Sequence, residues 1–169
     1  MIDFENLENT VTDGLEKYLG CPVIRSNQNE EPPKYPYLSY TRINPKGESK
    51  AMSYGVYEDG TERTPTTHTW SITALSDDDA ESLTLAVKAC EWFMRVGTVY
   101  LNDNDVVVGS VSGVTNRDNL LTVGYEYRNG FDVVFNIDDV IEIPTNEAGY
   151  IETVNIGQIE VNNSEIKEV

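Results

Sequence analysis

The chain has 169 residues, 39% of them hydrophobic. That suits a single domain with a real core and excludes wholesale disorder. Twenty-nine acids against twelve bases give a net charge of −17, which excludes a face that grips nucleic-acid phosphate and docking on an anionic membrane. The charge then reads either as a solubility device or as a surface that lets DNA pass without holding it.

The first element is a helix. Phe4, Leu7, Val11, Leu15, Tyr18 and Leu19 recur at three- and four-residue steps, and Gly20 followed by Pro22 stops it. Asp3, Glu5 and Glu8 stand where a secretory signal has its basic region, so no export signal is expected. Cys21 to Arg25 reads as a short strand and Asn27 to Pro33 as a loop. Tyr35 to Ile43, rich in aromatic and β-branched residues, is a strand with Pro36 at its start or on an edge. Residues 44–63 read as an exposed loop or a long hairpin tip, with Tyr54 and Tyr57 as aromatic contact candidates.

Thr66 to Leu75 is the next strand, with Trp70, Ile72 and Ala74 alternating against Ser71 and Thr73 in the pattern of a sheet covered on one face. Ser76 is the expected cap of a helix of about twenty residues, with Asp79 three positions on and Gly97 as its stop. Its expected buried face is Leu83, Ala86, Val87, Cys90, Phe93 and Met94. Val106 to Thr115 follows as a strand with Gly109 and Gly113 as bulge candidates. Tyr125 to Ile143 is strand-like, with Tyr125, Tyr127, Phe131, Val133, Phe135 and Ile137 on one face. Asn129-Gly130 reads as a hairpin turn or, preferably, as a bulge at Gly130 in one continuous strand. After Pro144 the pattern fades into an acidic extended tail, 144–169, appended to a single α+β domain, 1–143. From Asn129 onward there are nine acids and one base, Lys167.

The residues that carry chemistry do not assemble into a signature. His68 is the one histidine, in a Thr-rich strand, and a structural role is the expectation. Cys21 and Cys90 have no metal-site or redox spacing. Asp138-Asp139 could bind a cation but reads better as a solvated strand end. The Asn102-to-Asp105 run is a poor calcium loop, because Val108 stands where the EF-hand needs glycine. No nucleophile elbow, phosphate cradle or dinucleotide fingerprint is present. The expectation is a protein without enzymatic activity and without a cofactor or metal.

The wording of several strands resembles a known family. Thr69-Trp70-Ser71-Ile72-Thr73-Ala74-Leu75-Ser76-Asp77-Asp78-Asp79-Ala80 leads into the second helix, and Val114-Thr115-Asn116-Arg117-Asp118 precedes Tyr125-Glu126-Tyr127-Arg128-Asn129-Gly130-Phe131-Asp132-Val133-Val134-Phe135. Together they resemble the neck or tail terminator proteins of tailed bacteriophages and prophages of Gram-positive hosts, over roughly residues 4–143. The resemblance implies an α+β fold, a mainly antiparallel sheet packed against two helices. It implies a virion structural protein, made in the host cytoplasm, that forms a ring (usually a hexamer) on the last tail-tube ring. That ring stops tube growth and offers the surface for head joining. The implied partners are other copies of the chain, the tail tube protein and the head–tail connector proteins, with DNA passing through unbound and no membrane. Within this reading Arg42, Tyr54, Tyr57, Arg63, Arg117 and Arg128 are candidate subunit-interface residues, and Asp132, Asp138, Asp139 and Glu142 candidate acids of the passage. Two alternatives remain: another head–tail joining ring protein, or a small acidic metal-binding or enzymatic domain.

Overall fold

The computed structural model describes residues 1–29, 31–48, 57, 60–121 and 124–143. In chain order the elements are α1 (Phe4–Leu19), β1 (Val23–Arg25), β2 (Tyr37–Glu48), β3 (Thr61–Ser76) and α2 (Asp79–Glu91), which runs into a π-helical turn at Trp92–Val96. Then come α3 (Thr98–Asn102), β4 (Val107–Val111), β5 (Thr115–Asn116), β6 (Asn119–Leu121) and β7 (Gly124–Glu142). The sheet is ordered β1-β2-β3-β7-β4, and β5 and β6 also pair with β7. Among the described strand pairs only β1–β2 is parallel. This is the expected α+β architecture, with α3 as a third, short helix that the sequence pattern did not reveal.

Two long strands frame the molecule. β3 and β7 pair without a break from Thr61↔Glu142 to Ser76↔Tyr127. The unbroken register places Trp70, Ile72 and Ala74 beside Phe131, Val133 and Phe135, all buried on one face. Trp70 stacks on Tyr40 at 4.9 Å and meets Phe135 edge-on at 5.4 Å. Such pairs each add about 0.5–1.5 kcal/mol beyond their buried area.

Gly130 carries no bulge. It pairs with Thr73 in register, and a Cβ there would lie 2.5 Å from the Ile72 carbonyl oxygen. Close approach of the strands, and not an extra residue, is what requires glycine. Gly109 does coincide with a register shift, between Val108 and Ser110, as a bulge requires. The expected strand Val106 to Thr115 divides farther on, into β4 ending at Val111 and β5 starting at Thr115.

Much of the expected 44–63 loop is strand. β2 continues to Glu48 and β3 begins at Thr61, so the hairpin alternative holds. The last described β2 pair is Glu48↔Thr66, and Thr61 to Pro65 pair with β7. Residues 49–56, with Tyr54 among them, and the tail from 144 lie outside the described residues.

Helix α1 starts at Asp3, whose carboxylate accepts from the Glu5 and Asn6 amides at 3.1 and 3.0 Å. It closes at Gly20, with φ +72°. Leu7, Val11 and Leu15 are buried as expected, whereas Tyr18 is exposed.

Helix α2 differs from expectation in two ways. Its cap is Asp78, which accepts from the Glu81 amide at 2.8 Å. Ser76 is buried at the end of β3, where it accepts from the Asp78 amide and donates to Glu81. The buried face is also rotated. Ser82, Leu85, Ala86, Ala89 and Cys90 are covered, and Leu83, Val87 and Met94 are exposed. The cause is steric. Small side chains let α2 lie close on β3 and β7, and Ser82 satisfies its hydroxyl by donating to the Ala74 carbonyl at 3.0 Å. Asn129 of β7 donates back to that hydroxyl at 3.2 Å. A polar residue thus anchors the helix–sheet contact, which an apolar stripe cannot predict.

Candidate assembly surfaces

Several of the sequence-predicted contact residues have partners inside the subunit. Arg42 on β2 faces the helix layer, 3.4 Å from the carboxylate of Glu8 on α1. Glu8 also accepts from the Tyr40 hydroxyl. Burial, together with that carboxylate, pushes the Tyr40 phenol up. Arg128 is paired with Glu126 of its own strand. Glu126 in turn accepts from the Tyr35 hydroxyl at 2.6 Å, and this bond pushes Tyr35 up to about 12.

Arg117 lies across the face of the sheet opposite the helices. Its guanidinium donates to Ser71 at 2.5 Å, to Thr73 at 3.4 Å and to Asp132 at 2.9 Å, joining β3 to β7. Partial burial pushes the Asp132 carboxyl up, but bonds from Ser71 and Arg117 overcome this and hold it below its ordinary value. Arg63 and Tyr57 are exposed together at the hairpin, with the guanidinium 5.0 Å above the ring.

The four candidate passage acids divide in the same way. Asp132 is bound to Arg117. Asp139 is 1% exposed and accepts from Lys46 at 2.5 Å. Its burial would raise the carboxyl, yet the Lys46 ammonium holds it low. Asp138 and Glu142, on the opposite side of β7, are exposed. The register sets this division: Asp139 follows the inward Phe131, Val133 and Phe135 at even spacing, while Asp138 and Glu142 follow Asp132 outward.

His68 is buried, with its Nε2 3.0 Å from the Thr66 hydroxyl and its ring edge-on to Phe4 at 5.8 Å. Burial pushes its imidazole below the ordinary value, so it is neutral near pH 7 and serves packing. A groove of about 650 Å³ lies between the end of α1 and the start of α2, lined by Cys21, Pro22, Tyr35, Glu81, Leu85 and Lys88 among others. Burial and the nearby Glu16 push the Cys21 thiol up, the opposite of what a nucleophile needs. Among the described residues no group of three or more His, Cys, Asp or Glu side chains is placed to hold a metal ion. None of the described helices is long and apolar enough to cross a membrane.

What the fold does present is surface. The face of the sheet away from the helices carries Thr67, Thr69, Ser71 and Thr73 of β3 beside Asp132, Val134 and Asn136 of β7. The helix layer carries an exposed aliphatic run, Leu83, Val87, Met94, Val96 and Val99. No sequence signal separates these exposed positions from buried ones, because both are apolar at helical spacing.

No curated protein matches the chain. A family model described as phage neck terminator protein matches residues 9–165. The match runs well past residue 143, where the sequence resemblance fades, and takes in most of the acidic tail. The α+β fold, the terminator-like strand wording and a family match over nearly the whole length agree, and the chain belongs to the phage neck terminator family.

Proposed function

We propose that this chain is the tail terminator of its phage. Copies close into a ring, a hexamer by the usual pattern of such proteins, on the last ring of the tail tube. The ring stops tube growth and offers its other side to the head–tail connector. The observation that carries this reading is the family match over residues 9–165. The arrangement of polar groups supports it, since the buried and half-buried charges described above are held in structural pairs and serve rigidity. Rigidity is what a ring part needs to present one surface to each neighbour.

The surplus of negative charge has a role in this reading. Exposed acids such as Asp138 and Glu142 keep phosphate from binding as DNA crosses the ring, because each neutralised phosphate would add salt-sensitive affinity. Lys and Arg side chains in contact with the passage would slow ejection.

The test is a nonsense mutation in the gene, complemented or not in trans. Uncomplemented lysates are expected to hold overlong tails and heads without tails. Normal virions of normal tail length would rule the proposal out.

A further inference from the structure

We infer that the exposed shoulder of α2 is the seat of a second copy of this chain, docked head-to-tail. Leu83 and Val87 lie one turn apart on the same side of α2, and Met94 follows in the π turn seven residues past Val87. They are 46%, 41% and 50% exposed. Cys90, between Val87 and Met94, approaches the Ser112 carbonyl at 4.0 Å, which places this shoulder beside β4. No described strand pairs with the outer edge of β4. The aliphatic shoulder thus lies near a strand edge that no described strand covers. Val96 and Val99, 57% and 69% exposed, extend it past the π turn. Monomeric surfaces rarely leave such an apolar run uncovered.

Charge identifies the occupant. Residues 82–102 hold two bases and one acid, Lys88, Arg95 and Glu91, for a net +1. The rest of the chain therefore carries −18 of the total −17. The shoulder is a hole in the acidic coat, apolar at its centre, with Lys88, Glu91 and Arg95 exposed around it. Another copy of this chain brings the complementary surface, because its remaining surface is acidic. The shoulder is a poor match for itself, since two such patches would bring bases towards bases. A contact between unlike surfaces repeats around an axis and closes a ring. This inference rests on the ring reading above and adds which surface makes the ring.

The experiment compares the full chain with the double variant Val87→Glu/Met94→Glu by native mass spectrometry and sedimentation, and by electron microscopy of purified tail tubes incubated with each. Both sites are exposed, so the melting temperature is expected to stay within a few degrees, and Leu83→Ser serves as a milder second variant. The expected result is a wild-type ring, free or on tubes, and self-association weakened by more than about 100-fold in the double variant. Lys88→Glu/Arg95→Glu is expected to weaken it about tenfold. A double variant that forms rings as the wild type does overturns the assignment and leaves the ring reading intact. A wild-type two-fold dimer lost in the variant overturns the head-to-tail arrangement. A wild type that neither associates nor caps tubes overturns both.

Discussion

Helix α2 and the π turn that continues it have two apolar sides with different fates. One side, Ser82, Leu85, Ala86 and Ala89, lies on the sheet and is almost wholly covered. The other, Leu83, Val87 and Met94, is as apolar in sequence and stands in solvent. The covered side sets small residues around Leu85 and so permits close approach, while the uncovered side is made of large aliphatics. A helix stabilised only within its own subunit would place the large residues inward. Large aliphatics left in solvent support the proposed contact beyond the subunit.

The largest effect separating the two sides is expected just past α2, at Phe93. Its ring meets Phe131 at 6.0 Å and Phe135 at 5.7 Å. Phe93→Ala should cost about 3–5 kcal/mol in a urea titration. Ala86→Leu, on the covered side, should cost about 1–3 kcal/mol by overpacking the helix against the sheet. A neutral or stabilising result would mean that α2 sits farther from β3 and β7 than described.

A polar control lies at the hairpin, far from either side of α2. Asp139→Asn should cost about 1–2 kcal/mol, a charged hydrogen bond discounted for the partial exposure of Lys46. Because the folded Asp139 carboxyl is held below its ordinary value, its contribution is present above about pH 4 and fades as pH falls further. The variant should therefore lose less stability than the wild type on acidification through that range. His68 adds a second acid-labile contribution. Its lowered imidazole favours the folded state above about pH 6.5, and that advantage declines below it. His68→Gln should flatten the melting curve between pH 6.5 and 5.

The smallest effect belongs to the uncovered side. Leu83→Ser should change subunit stability by no more than about 0.5 kcal/mol, although it alters association. A loss comparable to that at Ala86 would erase the distinction between the two sides.

Most of the framework was legible in the sequence. The period-two run through Phe131, Val133 and Phe135 and the alternation at Trp70, Ile72 and Ala74 mark β7 and β3, because these strands bury one face only. Local pattern failed where the controlling contact is distant. The phase of α2 depends on Ser82 reaching Ala74 and Asn129. The continuation of β2 to Glu48 depends on pairing with Thr66 and Thr67. The pairing of the candidate site residues within the subunit was hidden for the same reason. Arg42 with Glu8, Lys46 with Asp139 and Arg117 with Ser71 are partners far apart in sequence, so residue type alone could not tell a paired arginine from an available one. Among the described members of the predicted set, Arg63, Tyr57, Asp138 and Glu142 are exposed.

The central claim is that this chain forms the ring that ends the tail. It is tested most directly by cryo-electron microscopy of intact virions, with a small tag on the chain to locate it. The account predicts a closed ring of copies at the head-proximal end of the tail tube, with the α2 shoulder of each copy covered by its neighbour. Tag density elsewhere in the particle, or isolated copies with no ring at the neck, would contradict it.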